Sequence, residues 1–179
     1  DQDPIDLLVN GAGFGLSGHF TATDVTDQER MLDVMCRAVL VTCHAALPGM
    51  RRRGRGGIIN VSSVAAFAAM GSYSAAKAWV NVFTESLAVE LKGTGVDAMA
   101  VCPGFTRTEF HDRARMDMEW LPEIGWLDAD EIVEQALADL RRGRILSVPS
   151  IRYRAASTLL RHAPAGLTRW GSRRIIGRR

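Results

Sequence analysis

A tyrosine and a lysine four residues apart are the side chains in this sequence whose spacing most clearly suggests chemistry. Tyr73 and Lys77 lie in a run with helical composition, so they would stand on one helix face, about 5–6 Å apart. A phenol has an ordinary pKa of about 10, and a neighbouring ammonium favours the phenolate and lowers that pKa. Ser63 follows the apolar run 57–61, which predicts a buried strand with a hydroxyl at its end. These three side chains predict a site where serine holds a carbonyl oxygen and tyrosine protonates it.

Two further strand-to-loop corners accompany this unit. The apolar run 5–9 is followed by Asn-Gly-Ala-Gly at residues 10–13, and the run 98–102 by Pro-Gly-Phe-Thr-Arg-Thr at residues 103–108. Taken alone, the tyrosine–lysine spacing usually marks a solvated helix face, and a glycine-rich stretch usually marks a plain turn. Three corners in this order, each after an apolar run, instead predict a ligand site at the carboxyl edge of a parallel sheet.

With these motifs the chain resembles the short-chain dehydrogenase/reductase family over nearly all of its length. The resemblance implies an α/β fold, a Rossmann-like doubly wound parallel sheet. It also implies an enzyme, an NAD(P)-dependent oxidoreductase that transfers a hydride between a nicotinamide cofactor and a carbonyl or alcohol. NADP is the expected cofactor, with NAD as the alternative. The catalytic residues implied by the resemblance are Ser63, Tyr73 and Lys77.

The resemblance also assigns residues to the dinucleotide. The first corner would lie against the adenosine and ribose, Lys77 would bind the nicotinamide ribose, and Thr108 would hold the carboxamide. The residues expected to bind the cofactor are Asn10, Ala12, Gly13, Tyr73, Lys77, Pro103, Gly104, Thr106 and Thr108. No metal site is expected. Two positions depart from the family: Gly11 replaces a usual Asn, and Met35 replaces an Asn that holds a water for proton relay.

The sequence predicts a partial catalytic domain over residues 1–149 and a basic, amphipathic helical tail over residues 150–179. The family's N-terminal β-α-β-α-β portion, with its phosphate loop, has no counterpart here. The chain is therefore expected to be the C-terminal two-thirds of a longer protein, and impaired on its own. The tail contains eight arginines and no acidic residue, although the whole chain carries a net charge of only +2. Such a tail could lie on an anionic membrane or pack on a neighbouring subunit, and both interpretations stay open.

Residues 105–127 carry many large apolar side chains, which is typical of a lid over an apolar substrate, although they could also merely cover the core. Ser147-Val148-Pro149, followed by a basic helix, is loosely similar to a family branch of keto-lipid reductases of the mycolate type. The expected substrate is therefore a hydrophobic ketone or keto-acyl lipid. Two other functions stay open: a non-catalytic binding relative that keeps the fold, and a membrane-associated relative.

The expected partners and location follow from composition and from the resemblance. A homodimer or homotetramer is expected, and no nucleic-acid partner. Three cysteines without metal-binding spacing favour a reducing compartment, so the predicted location is cytoplasmic, and a tail that lies on a membrane would place the protein at its inner face. No run of about 18 apolar residues is present, so no membrane-spanning helix is expected.

Local signals predict the bounds of several elements. Thr26 and Glu29 form a capping box that starts a helix through about residue 50, and Pro48 with the run Arg51-Arg52-Arg53-Gly54 is expected to end it. Further helices are predicted over residues 72–92 and 128–142, and further strands over 96–102 and 145–148. The tail is predicted to form one or two helices, broken near Pro164.

Overall fold

Four strands pair side by side in chain order, and each runs parallel to its neighbour. The structure is a computed structural model that describes residues 4–110, 114 and 118–162. The strands are β1 (Leu7–Asn10), β2 (Gly56–Val61), β3 (Val96–Val101) and β4 (Leu146–Ser147). The helices are α1 (Val25–Leu32), α2 (Ala38–Arg53), α3 (Gly71–Glu90), α4 (Ala129–Arg141) and α5 (Ile151–His162).

Helices cover both faces of the central strands, β2 and β3. Ile58 and Ala98 point to one face and pack with α2 and α3. Ile59 and Met99, their neighbours in sequence, point to the other face and pack with α4. Since both faces are buried there, these two strands read as continuous apolar runs, whereas Leu7 and Val9 of β1 are 42% and 54% exposed. The predicted fold class, a Rossmann-like doubly wound α/β sheet, is confirmed.

One fully buried polar residue interrupts the apolar strand β2. The Asn60 amide accepts a hydrogen bond from Asn10 Nδ2 at 2.8 Å and donates one to Thr84 Oγ1 at 2.9 Å. Asn10 Oδ1 accepts in turn from Thr42 Oγ1 at 2.8 Å. A buried amide without partners would destabilise the fold, so this ladder fixes α2, β1, β2 and α3 relative to one another.

The helical stretch before β2 differs from the prediction at both ends. Asp24, not Thr26, is the capping residue, because its carboxylate accepts from Thr26 N at 2.8 Å and places Thr26 inside the first turn. Pro48 lies within α2, at an exposed position where water can satisfy the carbonyl that loses its helical partner. The helix ends at Arg53 and is capped by Gly54, the last residue of the run expected to end it, in the left-handed conformation with φ of 65°.

A π-helical turn, Asp33–Arg37, joins α1 to α2, so that Val25–Arg53 is one continuous helical stretch of 29 residues. By length and composition alone it could cross a bilayer, because a window of 18 residues within it has a mean hydropathy of 1.4, whereas the sequence predicted no such helix. Core helices have the same composition, and Val39, Cys43 and Met50 of this stretch pack against the sheet. The apolar composition of this stretch is therefore explained equally well by its face against the protein core and by a membrane-spanning helix.

The C-terminal part of the chain is described only to residue 162. The first part of the predicted tail forms α5, whereas residues 163–179, with the predicted break near Pro164, lie outside the described residues. The same holds for residues 111–113 and 115–117 of the predicted lid. The strand expected over 145–148 is shorter, Leu146–Ser147, because only these two residues pair with β3.

Candidate active site

Ser63 lies directly after β2, at the carboxyl edge of the sheet. Its hydroxyl accepts a hydrogen bond from Ala65 N at 3.1 Å and so caps a short 3-10 helix, Val64–Phe67. The amide of Val64 donates to Pro103 O at 3.0 Å, which ties this corner to the one after β3. The Ser63 hydroxyl acts on the Tyr73 phenol, whose pKa it lowers. The structure therefore places these two predicted site residues near each other.

Lys77 lies one helical turn beyond Tyr73 in α3, and its side chain is buried, with 5% exposed. Its ammonium Nζ donates to Val61 O at 2.8 Å and lies 5.8 Å from the centre of the Tyr73 ring. The backbone carbonyl of Lys77 accepts from Ser62 Oγ at 2.9 Å. These two hydrogen bonds, one to the side chain and one to the backbone of Lys77, fasten α3 to the end of β2.

The protonation states of the two groups are set by burial. Burial raises the pKa of Tyr73 to about 12, and the neighbouring Ser63 hydroxyl opposes this rise. Burial lowers the pKa of Lys77 to about 8, against the opposing effect of the nearby Cys36 and Cys102 side chains. The Tyr73 pKa is thus raised in the chain alone, not lowered as expected, because burial is the dominant cause. At neutral pH, Tyr73 is a protonated phenol.

The corner after β1 passes close to this lysine. A Cβ at Gly13 would lie 3.5 Å from Lys77 Nζ and 3.3 Å from Met35 Sδ, so the missing side chain leaves the approach to the ammonium open. A lysine ammonium has three N–H donors, and Val61 O accepts from one of them. The other donors of Lys77 can therefore bind a ligand. An open backbone corner beside an ammonium fits the sugar hydroxyls of a dinucleotide. Met35, buried at the π-helical turn, offers no amide there.

The other predicted cofactor residues occupy the three corners in different ways. The side-chain amide of Asn10 is engaged in hydrogen bonds with Asn60 and Thr42. Asn10 can therefore contact a ligand only through its backbone. Thr106 donates to Gly104 O at 3.0 Å and so braces the turn after Pro103. The remaining three are exposed: Ala12 and Gly13 in the first corner, and Thr108 further along the lid, where its hydroxyl accepts from Phe110 N.

Aromatic residues of the predicted lid, residues 105–127, contact Tyr73 and one another. The Phe110 ring lies 5.8 Å from the Tyr73 ring, centre to centre, and Phe105 meets Trp120 edge to face at 5.7 Å. Leu127 N donates to Phe105 O at 2.8 Å, which closes the base of the lid. These contacts place apolar surface beside the hydroxyl pair.

Two residues with positioning contacts were missed from the sequence. Asn60 carried a usable signal, because a polar residue inside an apolar strand is the informative exception to the burial rule. Tyr153 carried none: its hydroxyl donates to Gly125 O at 2.7 Å and accepts from Phe105 N at 3.3 Å, partners 28 and 48 residues away. Within the described residues, no group of three His, Cys, Asp or Glu side chains could hold a metal ion.

Comparison with known proteins gives consistent matches. Residues 1–119 match the family model of the short chain dehydrogenases. An uncharacterized oxidoreductase of Staphylococcus saprophyticus is 35% identical over 153 residues, 84% of this chain and 63% of that protein. The 2-(R)-hydroxypropyl-CoM dehydrogenase of Xanthobacter autotrophicus is 34% identical over 148 residues, 79% of this chain and 54% of that protein. A solved short-chain dehydrogenase from Sphingobium yanoikuyae in complex with NADPH is 34% identical with a TM-score of 0.78, covering 91% of this chain and 64% of its own. The chain thus spans less than two thirds of these relatives.

Replacing Lys77 tests whether burial of its ammonium costs stability. Lys77→Met should raise the free energy of unfolding at pH 7 by about 1–2 kcal/mol, since the ammonium's burial penalty exceeds the hydrogen bond that Val61 O loses. The sign follows from the lowered pKa: between about 8 and 10.5 the unfolded parent binds more protons than the folded parent. Stability of the parent should therefore rise with pH across that window, and the variant should lose this rise. Urea unfolding at several pH values measures both.

The matched control is the other lysine of the chain, Lys92, which is exposed just after α3. Lys92→Met should change stability by less than about 0.5 kcal/mol. A Lys77→Met protein that is less stable than the parent at pH 7 would contradict the assigned desolvation.

Proposed function

Because the chain belongs to the short-chain dehydrogenase family, we propose that it carries the catalytic part of an NADP-dependent oxidoreductase that reduces an apolar carbonyl compound, and oxidises the alcohol in reverse. The observation that carries this proposal is the buried ammonium of Lys77, 5.8 Å from the centre of the Tyr73 ring, with the Ser63 hydroxyl near enough to the phenol to lower its pKa. This arrangement presents two hydroxyls to one point at the carboxyl edge of the sheet. A carbonyl oxygen at that point would accept a hydrogen bond from each hydroxyl.

In this proposal the phenol is the acid. With its pKa raised to about 12, Tyr73 is protonated at neutral pH and can give its proton to an oxygen that becomes an alkoxide. Ser63 holds that oxygen through the transfer, and the Lys77 ammonium stabilises the tyrosinate that is left. Lys77 itself titrates near pH 8, which suits it to return a proton to Tyr73. The Met35 side chain has no amide group that could take part in this proton transfer.

The residues present fit a nicotinamide dinucleotide, and the Sphingobium relative is known in complex with NADPH. When bound, this cofactor supplies the hydride. Lys77 would hold the ribose hydroxyls, since its ammonium has donors beyond the one used by Val61. The bare backbone at Gly13 would let the sugar approach, and the braced turn at Gly104 would lie against the nicotinamide. NADP, with NAD as the alternative, is the cofactor of this proposal.

The apolar character of the substrate is inferred from the lid. Phe110 packs beside Tyr73, and Phe105, Trp120 and Trp126 form the aromatic cluster behind it. A substrate carbonyl at Tyr73 would therefore carry at least one substituent against an aromatic ring. Aromatic side chains bind apolar groups by burial of apolar area. Hydrophobic ketones and keto-acyl lipids both fit this requirement.

Two finer proposals concern partners. Exposed apolar residues on α2 (Leu40, Val41) and on α3 (Val82) support pairing with a second copy of the chain, as the resemblance implies. Ile151 and Leu159 are 81% and 72% exposed on the basic helix α5, which keeps contact with an anionic membrane as a second candidate role for the tail.

Loss of the phenol should remove turnover but not binding. In the full-length protein, Tyr73→Phe should lower kcat for ketone reduction by about 10²–10⁴-fold, because the proton donor is gone while the ring remains. NADPH affinity, measured by fluorescence titration, should stay within about twofold of the parent value. Ser86→Ala, at an exposed position of the same helix, serves as control and should keep the parent rate. Unchanged ketone reduction by Tyr73→Phe, or a parent that binds NADPH and reduces no ketone, would favour the non-catalytic alternative.

Phe110 provides the test of substrate class. Phe110→Ala should raise KM for a bulky apolar ketone about tenfold and leave KM for a small polar ketone nearly unchanged, since one buried aromatic contact is lost. Phe20→Ala, which removes a ring 67% exposed on the 3-10 turn Phe20–Ala22, should affect neither ketone. Equal losses with both ketones would mean that Phe110 acts on the catalytic unit rather than on the substrate.

A further inference from the structure

The side chain of Tyr153 leaves α5 and covers the turn after β3. A Cβ at Gly104 would come within 2.6 Å of Tyr153 Cδ2, and closer still to Cε2 and Cζ. Real Cβ atoms do not approach a ring so closely, so any residue larger than glycine at position 104 would displace the ring. The Tyr153 ring of α5 therefore requires a glycine at position 104, independently of any ligand that binds at this corner.

The hydroxyl of Tyr153 joins the two ends of the lid. It accepts from Phe105 N, at the first residue of the lid, and donates to Gly125 O, which ends the 3-10 turn Glu123–Gly125 near the last. A parallel bridge between Thr106 and Leu127 also joins the two ends of the lid. One side chain therefore ties the strand end, the start of the lid and the end of the lid.

Other residues of α5 extend this attachment along the rim of the site. Arg152 donates to Ile124 O, next to Gly125 in the same 3-10 turn. Near the other end of α5, the Arg161 guanidinium lies 5.5 Å from the Phe67 ring, in the 3-10 helix that Ser63 caps. The helix thus spans from the segment after Ser63 to the end of the lid.

We propose that Tyr153 is a positioning residue, which holds the Gly104–Phe105 turn and both ends of the lid in the geometry that the reaction needs. The first part of the basic tail is then a wall of the active site. The role in reaction geometry rests on the proposed function, but the attachment itself can be measured without turnover. Tyr153 does not touch the hydroxyl pair, and it acts through the backbone of residues 104, 105 and 125.

Hydrogen exchange tests the attachment directly. In the full-length protein, Tyr153→Phe keeps the ring on Gly104 and removes the hydroxyl, so exchange of the Phe105 amide should become about tenfold faster or more. Ser157→Ala is the control on the same helix face: its buried hydroxyl bonds only to Arg154 O within α5, and exchange at Phe105 should not change. Unchanged exchange at Phe105 in Tyr153→Phe would overturn the proposal.

A double-mutant cycle tests the packing of Tyr153 on Gly104. Gly104→Ala alone should lower Tm by about 5 °C or more, because the new Cβ displaces the ring. In a Tyr153→Ala background the same substitution should lower Tm by less than about 2 °C, since the obstructing ring is absent. Equal losses in both backgrounds would overturn the proposal, because the glycine would then be required for another reason.

Kinetics separate this proposal from the proposed function. Tyr153→Phe should lower kcat/KM for ketone reduction about three- to tenfold with Tm nearly unchanged, and Ser157→Ala should not. If no ketone is reduced even by the parent protein, the proposed function fails, while the exchange and Tm measurements still decide the attachment. If the parent is active and Tyr153→Phe matches it in kcat/KM, the positioning role fails.

Discussion

The burial of a lysine ammonium at the end of a strand is the interaction on which the catalytic unit depends. Lys77 is held by Val61 O through its side chain and by Ser62 Oγ through its backbone, so α3 cannot shift along β2 without breaking both bonds. The cost of desolvating the ammonium appears as a pKa lowered to about 8. That cost is retained in a folded protein only where a charge is needed, which is the usual trade between stability and activity.

The same desolvation decides what the phenol does. An exposed tyrosine beside a lysine would lose its proton more readily, whereas Tyr73, partly buried under Phe110, holds its proton to about pH 12. A group that must give a proton at neutral pH gains from being protonated beforehand. The sheet brings the three corners together: β1 supplies an open backbone, β2 supplies Ser63, and β3 supplies the turn that Tyr153 braces.

The features that depend on neighbouring residues in the chain could be predicted from the sequence. The features that depend on many contacts between distant residues could not. The fold class and the order of the corners followed from apolar runs and the small residues after them, and Ser63, Tyr73 and Lys77 lie close together along the chain. The direction of the Tyr73 pKa was wrong because burial depends on the lid, which no spacing rule places. Pro48 was expected to end a helix in which it lies, since exposure lets water replace the lost bond. Tyr153 and the Gly104 turn meet across 49 residues of chain, and no local pattern links them.

The central claim is that desolvation, rather than the charge of Lys77, sets the proton state of Tyr73. A pH titration of phenolate ultraviolet absorbance, taken as the difference between the parent protein and Tyr73→Phe without cofactor, measures this state directly. The account predicts that no Tyr73 phenolate forms up to pH 10 and that the midpoint lies near 12. A midpoint clearly below 10, the ordinary value for tyrosine, would contradict it and would give the neighbouring ammonium the dominant role.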